Sequence, residues 1–368
     1  MLDEQEIRSL VEKYIPGEGG DFLVQELIKH GPIPRLRDYI VKPGKVSDSI
    51  FGGKGSFFDK KHGRVVEFEN PPLETKDGRP LRLMVRTDRI STHDINRGTI
   101  PFKDQVLAIN HHHMLRVVER NIGTSQLEIG LGDNSVVIVA ENLTALPFEN
   151  VLRFYLAKTS TKTSLYQHYI HGGRFFSGHH LPDGLIANGL LPYLIDTPTT
   201  KSDEHDLPTS QRELIEQGLV KELDYIILKN ASAVAFGMAY KHLIQRGIIL
   251  ADTKLEHGIN REGKVVSQDE LFTMDSSRYW LKDDYDEQVR FLKEEKINEL
   301  NPRNFSKEFA RDFSSGDQPY DYDQRVLIAV RYIQGIQEIT GHQFIPDMRS
   351  KEERILGGLQ KIFDEMVR

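Results

Sequence analysis

The 368-residue sequence has no cysteine, no long apolar run and no excess of positive charge. The absence of cysteine excludes disulfides, thiolate nucleophiles and cysteine-ligated metals, and with them a disulfide-stabilised secreted domain. No apolar run approaches the roughly 20 residues that a membrane-spanning helix needs. The formal net charge of -7 gives no overall attraction to nucleic acid or to an anionic membrane. The amino end, MLDEQEIRSL, is acidic and does not resemble a signal peptide. We therefore expect a cytoplasmic protein with no nucleic-acid or membrane partner.

Hydrophobic periodicity predicts an α+β fold in three parts. Residues 1–36 form a predicted amino-terminal helical extension, 37–143 a β-rich lobe, and 144–368 a larger α/β lobe with carboxyl-terminal helices. The main predicted strands are 64–69, 81–86, 135–140, 247–252 and 263–270, of which the last two form a hairpin. The main predicted helices are 2–15, 22–29, 103–119, 225–246, 322–340 and 351–367.

The segment 250–280 holds the densest group of chemically active side chains. Asp252, Lys254 and Glu256 alternate, so on a strand they point to one side. A hairpin would add Asp269 and bring Arg278 close by. Clustered carboxylates without cysteine suit Mg²⁺, which takes one or two carboxylates together with phosphate oxygens. The alternative is a solvated hairpin with scattered salt bridges.

Three further segments contain residues that often line binding sites. Residues 44–55 (GKVSDSIFGGKG) could place backbone amides and Lys45 over phosphates, although they lack a Walker A pattern and could equally form a polar hairpin. Residues 197–206 (TPTTKSDEHD) could bind both ends of an amino acid or form a solvated turn. Residues 86–94 (RTDRISTHD) follow a strand and either face a cleft or form a surface turn.

Two isolated features have simpler interpretations. Residues 111–113 are three consecutive histidines on a predicted helix, where neighbours point in three different directions. They are therefore predicted to be structural or surface residues and not a metal site. Arg153 is the only charged residue in an apolar segment around residues 151–157. It is predicted either to form a salt bridge or to bind a phosphate or carboxylate group.

Taken in order, these segments resemble the SAICAR synthetase family from about residue 40 to about residue 315. The family pattern Gly-Ile-Ile-Leu-Ala-Asp-Thr-Lys-Phe-Glu-Phe-Gly is similar to residues 247–258, with Leu255 and His257 in place of the two phenylalanines. The pattern Asp-Glu-x-x-Thr-Pro-Asp-Ser-Ser-Arg-Phe-Trp is similar to residues 269–280, with Met274 and Tyr279 as the differences. The other similar segments are 44–48, 87–94, 181–185, 197–201 and 205–206.

The resemblance implies a β-rich, kinase-like amino lobe that binds ATP, a larger α/β lobe, and ATP in the cleft between them. It implies an ATP-dependent C–N ligase of purine biosynthesis that joins L-aspartate to a carboxylated aminoimidazole ribonucleotide, giving SAICAR, ADP and phosphate through an acyl phosphate. ATP, Mg²⁺ and these two small molecules are the implied cofactors and partners, and a homo-oligomer is left open. No protein nucleophile is required, in agreement with the absence of cysteine.

The resemblance also assigns residues. Lys45 would contact the ATP phosphates, and adenine would bind backbone near Ala140 and Asn142. Glu256 and Asp269 would hold Mg²⁺. The predicted catalytic residues are Asp252, Lys254, Lys201 and Asp206, and those predicted to bind the ribonucleotide or aspartate are Ser91, Arg153, Thr159, Asp203 and Arg278.

The sequence departs from the family pattern in two places. Ser47 stands where the family has Arg or Lys. After Arg153 the family continues Gly-Tyr-Leu-Thr-Gly-Ser, whereas residues 154–159 read FYLAKT, with Lys158 in place of a glycine. The changed loop keeps open a related carboxylate–amine ligase with a different phosphorylated acceptor. A non-catalytic nucleotide-binding paralogue is the other alternative.

Overall fold

The structure, a computed structural model, describes residues 1–15, 24–59, 64–92, 95–127, 130–201 and 207–368. The described helices are α1 (Glu4–Tyr14), α2 (Val24–His30), α3 (Lys103–Val118), α4 (Leu165–Ile170), α5 (Gln211–Glu216), α6 (Glu222–Ile244), α7 (Lys282–Lys293), α8 (Lys307–Arg311), α9 (Tyr322–Thr340) and α10 (Lys351–Glu365), with a short 3₁₀ helix at Pro34–Leu36. The described strands are β1 (Ser47–Phe51), β2 (Gly53–Asp59), β3 (Arg64–Asn70), β4 (Leu81–Arg86), β5 (Arg89–Thr92), β6 (Ile95–Thr99), β7 (Val137–Glu141), β8 (Thr144–Tyr155), β9 (Phe175–Phe176), β10 (His179–His180), β11 (Leu190–Asp196), β12 (Thr199–Thr200), β13 (Leu207–Pro208), β14 (Ile248–Ile259), β15 (Val265–Gln268) and β16 (Ser277–Leu281).

Most elements predicted from periodicity are confirmed within a few residues. Helix 322–340 and strand 81–86 have the predicted bounds as α9 and β4. The predicted hairpin 247–270 is confirmed as β14 and β15, which pair antiparallel from Glu256–Gln268 to Ile259–Val265. Across the part of the chain that the structure describes, no helix is both long and apolar enough to cross a bilayer.

The chain divides into two compact units. The first comprises Met1–His112, Ser125–Asn142 and Phe309–Arg368, and the second comprises His113–Thr124 and Leu143–Glu308. The sequence pattern placed residues 144–368 in one lobe, whereas residues 309–368 group with the first unit. An amphipathic pattern shows that a helix has a buried face but not which element it packs against.

The first unit is built on the antiparallel sheet β1-β4-β7, on which α10 packs. The helix contributes Ile355, Leu359, Ile362 and Phe363 to the same buried cluster as Val137 and other strand residues. The close approach depends on Gly358, because a Cβ there would lie 2.8 Å from Cγ2 of Val137. The two hairpins β2-β3 and β5-β6 complete the described strands of this unit.

Buried ion pairs fix α10 at its amino end. Ser350 caps the helix by accepting from the backbone N–H of Glu353. Lys351 then pairs with Asp88, and Arg354 donates to Asp104 at 2.7 Å, all within the first unit. Asp88 belongs to the segment 86–94 that the sequence singled out, so the terminal helix supports that segment directly.

The second unit contains a seven-stranded sheet with the order β13-β12-β8-β14-β15, in which β11 also pairs with β8 and β16 with β14. The two long central strands, β8 and β14, pair antiparallel from Asp252–Arg153 to Ile259–Thr144, with a shift of register near residue 257. Helix α6 packs on β8, β14 and β15. The central strands thereby supply a rigid platform on which side chains can be placed accurately.

Candidate functional site

Strand β14 carries an alternating row of charged side chains. Asp252, Lys254 and Glu256 lie two residues apart and therefore point to one face of the sheet. The partner strand β8 places Arg153 opposite Asp252 and Glu149 opposite Glu256. The predicted convergence of carboxylates with cationic side chains is thus present within the second unit.

Asp252 is the carboxylate that holds two arginines. Its Oδ2 accepts from Nη1 of Arg153 at 3.0 Å and from Nη1 of Arg278. Arg278, which lies opposite Asp252 on β16, also donates to Oε1 of Glu308 at 3.1 Å from Nε and 2.7 Å from Nη2. Nε of Arg153 donates to Oγ1 of Thr197 at 2.9 Å. Each guanidinium is therefore fixed in orientation by at least two partners.

The two arginines differ in electrostatic environment. Burial lowers the pKa of Arg153, and the charge of Asp252 opposes this effect. Burial also lowers the pKa of Arg278, but Asp252 and Glu308 outweigh it, so the pKa is raised above its ordinary value. Arginine starts from a pKa above 12, so both remain cations at neutral pH. The pair presents fixed N–H donors of the kind that bind phosphate or carboxylate, and Asp252 and Glu308 balance its two positive charges.

Lys254 lies between two carboxylates, one of which also pairs with Lys201. Nζ of Lys254 is 2.6 Å from Oε1 of Glu149 and 3.5 Å from Oε1 of Glu256. Nζ of Lys201 lies 2.5 Å from Oε2 of Glu256. Burial lowers the pKa of Lys254, but the charges of Glu149 and Glu256 outweigh it and raise the pKa above its ordinary value. Lys254 is therefore an ammonium cation at neutral pH and not a proton acceptor.

Asp269 lies beside this row, at the end of β15. Gln268 is opposite Glu256 in the β14–β15 register, and Asp269 is the next residue. Its charge is close enough to contribute to the raised pKa of Lys254. Asp269 has a φ of 61°, an uncommon value for a residue other than glycine. Such conformations occur where the surrounding structure fixes a side chain in place.

The donor chemistry of Glu256 and Asp269 fits Mg²⁺. Both provide carboxylate oxygens, and Mg²⁺ binds one or two carboxylates while phosphates and water complete its octahedral shell. Within the described ranges, no three His, Asp or Glu side chains are grouped so as to hold a metal by themselves. An ion held by Glu256 and Asp269 would therefore need further ligands from substrate and water.

Lys45, Ser91, Ala140 and Asn142 belong to the first unit. Lys45 is exposed on the turn that precedes β1, and Ser91 is buried in β5. Arg89 fixes that turn, because it pairs with Asp48 and its Nη2 donates to the carbonyl of Gly44 at 3.1 Å.

The backbone proposed for adenine binding lies at the end of β7. Ala140 is paired with Arg82 on β4 and bridges Gln126 on its other side. The N–H of Asn142 donates to the carbonyl of Pro80 at 2.8 Å. A hydrogen bond from this N–H to adenine would therefore have to replace one within the protein.

The remaining predicted residues lie apart from the charged row or cannot be placed. Thr159 follows β8, where its Oγ1 accepts from the N–H of Thr161 at 3.3 Å. The neighbouring Lys158 pairs with Glu299 at 2.8 Å. Asp203 and Asp206 lie outside the described residues.

The three consecutive histidines have three different partners. Nε2 of His111 is 2.5 Å from Oε1 of Gln126, and Nδ1 of His112 is 2.9 Å from the carbonyl of Asp133. Nε2 of His113 is 2.9 Å from Nε2 of His242. The divergence expected of adjacent helical positions is confirmed, and the run does not converge on one ion.

Two residues of the charged face, Glu149 and Glu308, were not identified from the sequence. Glu149 was detectable, since it lies four residues before Arg153 and the two share a strand face once 144–155 is recognised as a strand. Pro147 weakens the strand signal there, because proline is rare in central strands. Glu308 gave no signal, since only the fold brings its carboxylate to Arg278.

His257 occupies the face of β14 opposite the charged row and is fully buried, with Nε2 3.2 Å from Oγ of Ser232. Burial lowers its pKa to about 4, only partly opposed by the charge of Glu256. In the unfolded chain the histidine takes up its proton near pH 6.5. Between pH 6.5 and pH 4 the unfolded state therefore binds more protons than the folded state. The free energy of unfolding is highest above pH 6.5 and falls as the pH is lowered toward 4.

Replacing His257 with Phe, the residue that the family pattern has here, should remove this pH dependence. We expect the free energy of unfolding of wild type to fall by about 2 kcal/mol more than that of His257→Phe between pH 7.5 and pH 5. Urea denaturation at several pH values measures the difference. The exposed His342, changed to Phe, is the matched control and should behave as wild type. Parallel pH profiles for wild type and His257→Phe would contradict the neutral buried state.

Comparison with known proteins identifies relatives of this chain. A family model described as SAICAR synthetase matches residues 74–326, more than half of the chain. The phosphoribosylaminoimidazole-succinocarboxamide synthase of Legionella pneumophila (strain Paris) is 35% identical over 306 residues, covering 80% of this chain and 95% of that protein. The chloroplastic phosphoribosylaminoimidazole-succinocarboxamide synthase of Arabidopsis thaliana is 38% identical over 290 residues, covering 74% of this chain and 66% of that protein.

Solved structures share the fold. A SAICAR synthase from Saccharomyces cerevisiae, in complex with SAICAR, matches with a TM-score of 0.63 and 20% identity over 84% of this chain and 97% of the other. A type-2 SAICAR synthetase in complex with ADP matches with a TM-score of 0.56 and 20% identity over 83% of this chain and 100% of the other. At this identity the likeness concerns the fold, and it confirms the predicted α+β class.

Proposed function

This chain belongs to the SAICAR synthetase family, and on that premise we propose that it joins L-aspartate to a carboxylated aminoimidazole ribonucleotide at the expense of ATP. The products are SAICAR, ADP and phosphate. The observation that carries the proposal is the charged face of the sheet, where Lys254, Glu256 and the Arg153–Asp252–Arg278 group lie within the region that the family model matches.

The reaction needs two successive transfers. The substrate carboxylate attacks the γ-phosphorus of ATP, so that an acyl phosphate forms and ADP leaves. The amine of L-aspartate then attacks the acyl carbon, inorganic phosphate leaves, and the amine loses a proton as the amide forms. Neither step uses a protein nucleophile, so the protein must position the reactants and compensate charge. The chain has no cysteine that would suggest a covalent route.

Lys254 supplies fixed positive charge for the phosphoryl group. Its raised pKa keeps it protonated throughout the reaction, and its two carboxylate partners hold the ammonium group in place. A preorganised cation lowers the energy of developing charge without reorganisation cost. Lys201, on the other side of Glu256, would contact the reacting carboxylate or L-aspartate.

Arg153 and Arg278 would bind the ribonucleotide. A guanidinium group matches the geometry of phosphate and carboxylate through paired N–H donors. Asp252 fixes the orientation of both groups by accepting from one Nη1 of each. We assign Ser91, Thr159, Asp203 and Asp206 to substrate binding from the family pattern, with Asp203, Asp206 and Asp252 as candidates for the base that accepts the amine proton.

Glu256 and Asp269 would hold Mg²⁺. A bound Mg²⁺ supplies charge neutralisation at the phosphates. Lys45 is assigned to the ATP phosphates, since its turn is fixed by Arg89 and Asp48. The backbone near Ala140 and Asn142 is assigned to adenine.

The proposal predicts ADP release that depends on every component. Purified protein with ATP, Mg²⁺, L-aspartate and the carboxylated ribonucleotide should release ADP and form the succinyl product, and omission of any one component should reduce release to background. A coupled assay measures ADP and mass spectrometry identifies the product. ATP binding without turnover would contradict the proposal in favour of a non-catalytic protein. Turnover with another phosphorylated carboxylate only would identify a related ligase, and the changed loop around Lys158 would account for it.

A further inference from the structure

The turn that carries Lys45 is held on both sides by one short segment of the first unit. Before Lys45, the carbonyl of Gly44 accepts from Nη2 of Arg89 at 3.1 Å. After Lys45, the carbonyl of Val46 accepts from the N–H of Thr87 at 2.9 Å and from its hydroxyl at 3.0 Å. The backbone on each side of the lysine is therefore fixed by this segment, and a shift of the segment would move the lysine.

Asp88 lies in the middle of the same segment and binds in another direction, toward helix α10. Its carboxylate pairs with Lys351, the first residue of that helix, and each of the two side chains is only 5% exposed. The backbone of the segment has neighbours of its own, since the carbonyl of Asp88 accepts from the N–H of Ile100 at 2.9 Å. The side chain of Asp88 therefore attaches the segment to α10.

Helix α10 is fixed in the first unit by other contacts and can serve as an anchor. Arg354 pairs with Asp104 at 2.7 Å, and both side chains are buried. Leu359 and Ile362 are fully buried in the cluster that the helix shares with the sheet. The helix therefore keeps its place without Lys351, so loss of that lysine would release the segment and not the helix.

The attachment depends on the charge of the lysine. Burial raises the pKa of the Asp88 carboxyl to about 6, whereas the charge of Lys351 lowers it and that of Asp104 adds to the increase. Without Lys351 the pKa of Asp88 would rise further, so that the carboxyl group takes up a proton near neutral pH. The ion pair that holds the segment against α10 would then be lost from both sides.

We propose that Lys351 is a positioning residue for the nucleotide, because it holds Asp88 and thereby the turn that brings Lys45 to the ATP phosphates. The inference rests on the assignment of Lys45 to those phosphates in the proposed function. Lys351 lies beyond residues 74–326, which the family model matches. The carboxyl-terminal helix of this chain thus contributes to ATP binding, although Lys351 is itself buried against Asp88.

The first test is the KM for ATP of Lys351→Met. We expect this KM to rise about tenfold, the factor that loss of one hydrogen bond to a charged group gives. The kcat at saturating ATP and the KM for L-aspartate should stay those of wild type, since only one substrate loses binding. Lys361→Met, on the same helix with a side chain 42% exposed, is the matched control and should behave as wild type. A wild-type KM for ATP in Lys351→Met would overturn the proposal.

A second variant separates positioning from stability. Lys351→Met leaves Asp88 buried without its partner, so its melting temperature should fall. Lys351→Met combined with Asp88→Asn removes both charges of the pair, so the melting temperature should recover. The double variant still lacks the ion pair, and its KM for ATP should remain about tenfold raised. Recovery of KM together with the melting temperature would show that the pair only stabilises the fold, and would overturn the proposal.

Calorimetric titration with ATP and Mg²⁺ alone keeps this inference separate from the proposed reaction. If wild type binds ATP without turnover, the ligase reaction is contradicted, and the Kd of the double variant still decides the role of Lys351. A Kd about tenfold above that of wild type supports the positioning role. If wild type is an active ligase and the double variant binds ATP equally well, the ligase reaction stands and the inference is wrong.

Discussion

With Glu256 replaced by Gln, we expect kcat to fall by about 10²- to 10³-fold, equivalent to about 3–4 kcal/mol of transition-state stabilisation. Glutamine keeps the shape of the side chain but replaces an anionic oxygen donor with a neutral one. Oε2 of Glu256 faces Lys201 and Oε1 faces Lys254, so the substitution also leaves these ammonium groups less well placed. The Mg²⁺ concentration that gives half-maximal rate should rise as well, which separates a metal role from a purely structural one.

The control for this variant is Glu262→Gln. Glu262 lies in the connection between β14 and β15, is exposed and pairs with Lys264 at 2.8 Å, so it undergoes the same change on the same hairpin away from the charged row. Initial rates measured at varied Mg²⁺ concentration for both variants test whether Glu256 is a metal ligand. If Glu256→Gln has the kcat and Mg²⁺ dependence of wild type, Glu256 is not a metal ligand.

Local pattern was sufficient to predict single elements. Helix α9 has Val326, Val330, Ile333 and Ile336 at helical spacing, and Gly341 ends it in a left-handed conformation. Strand β14 combines a buried apolar start, Ile248 to Leu250, with the charged alternation that follows. Both signals are local, so a sequence suffices to find them.

Long-range pairing could not be predicted from local pattern. The charged face depends on β8 pairing with β14, whose facing residues Arg153 and Asp252 are 99 positions apart. Glu308 joins Arg278 only because residues after β16 return to the sheet. The resemblance to a family supplied Arg153, Asp252 and Arg278 but not Glu308, and the contacts among the four residues come from the structure.

Replacing Asp252 with Ala should destabilise the protein more than any other change on this face. Loss of one partner from a buried ion pair costs about 3–5 kcal/mol, because the remaining charge is buried without compensation. Arg278 retains Glu308, whereas Arg153 retains the neutral hydroxyl of Thr197 among its described partners. Arg153 therefore becomes the uncompensated charge. We expect a lower free energy of unfolding by urea denaturation, with kcat/KM for the ribonucleotide reduced in parallel.

A second substitution tests this reason. Arg153→Met in the Asp252→Ala background removes the unpaired charge, so the double variant should be more stable than Asp252→Ala alone, although its kcat/KM for the ribonucleotide should be no higher. The matched control is Asp183→Ala, since Asp183 also pairs with an arginine, Arg174, at 2.7 Å, but its side chain is 91% exposed. Exposed pairs contribute little, so this variant should unfold as wild type does. A double variant less stable than the single one would show that Arg153 is held by contacts other than the carboxylate of Asp252, and that the two arginines are not positioned through it.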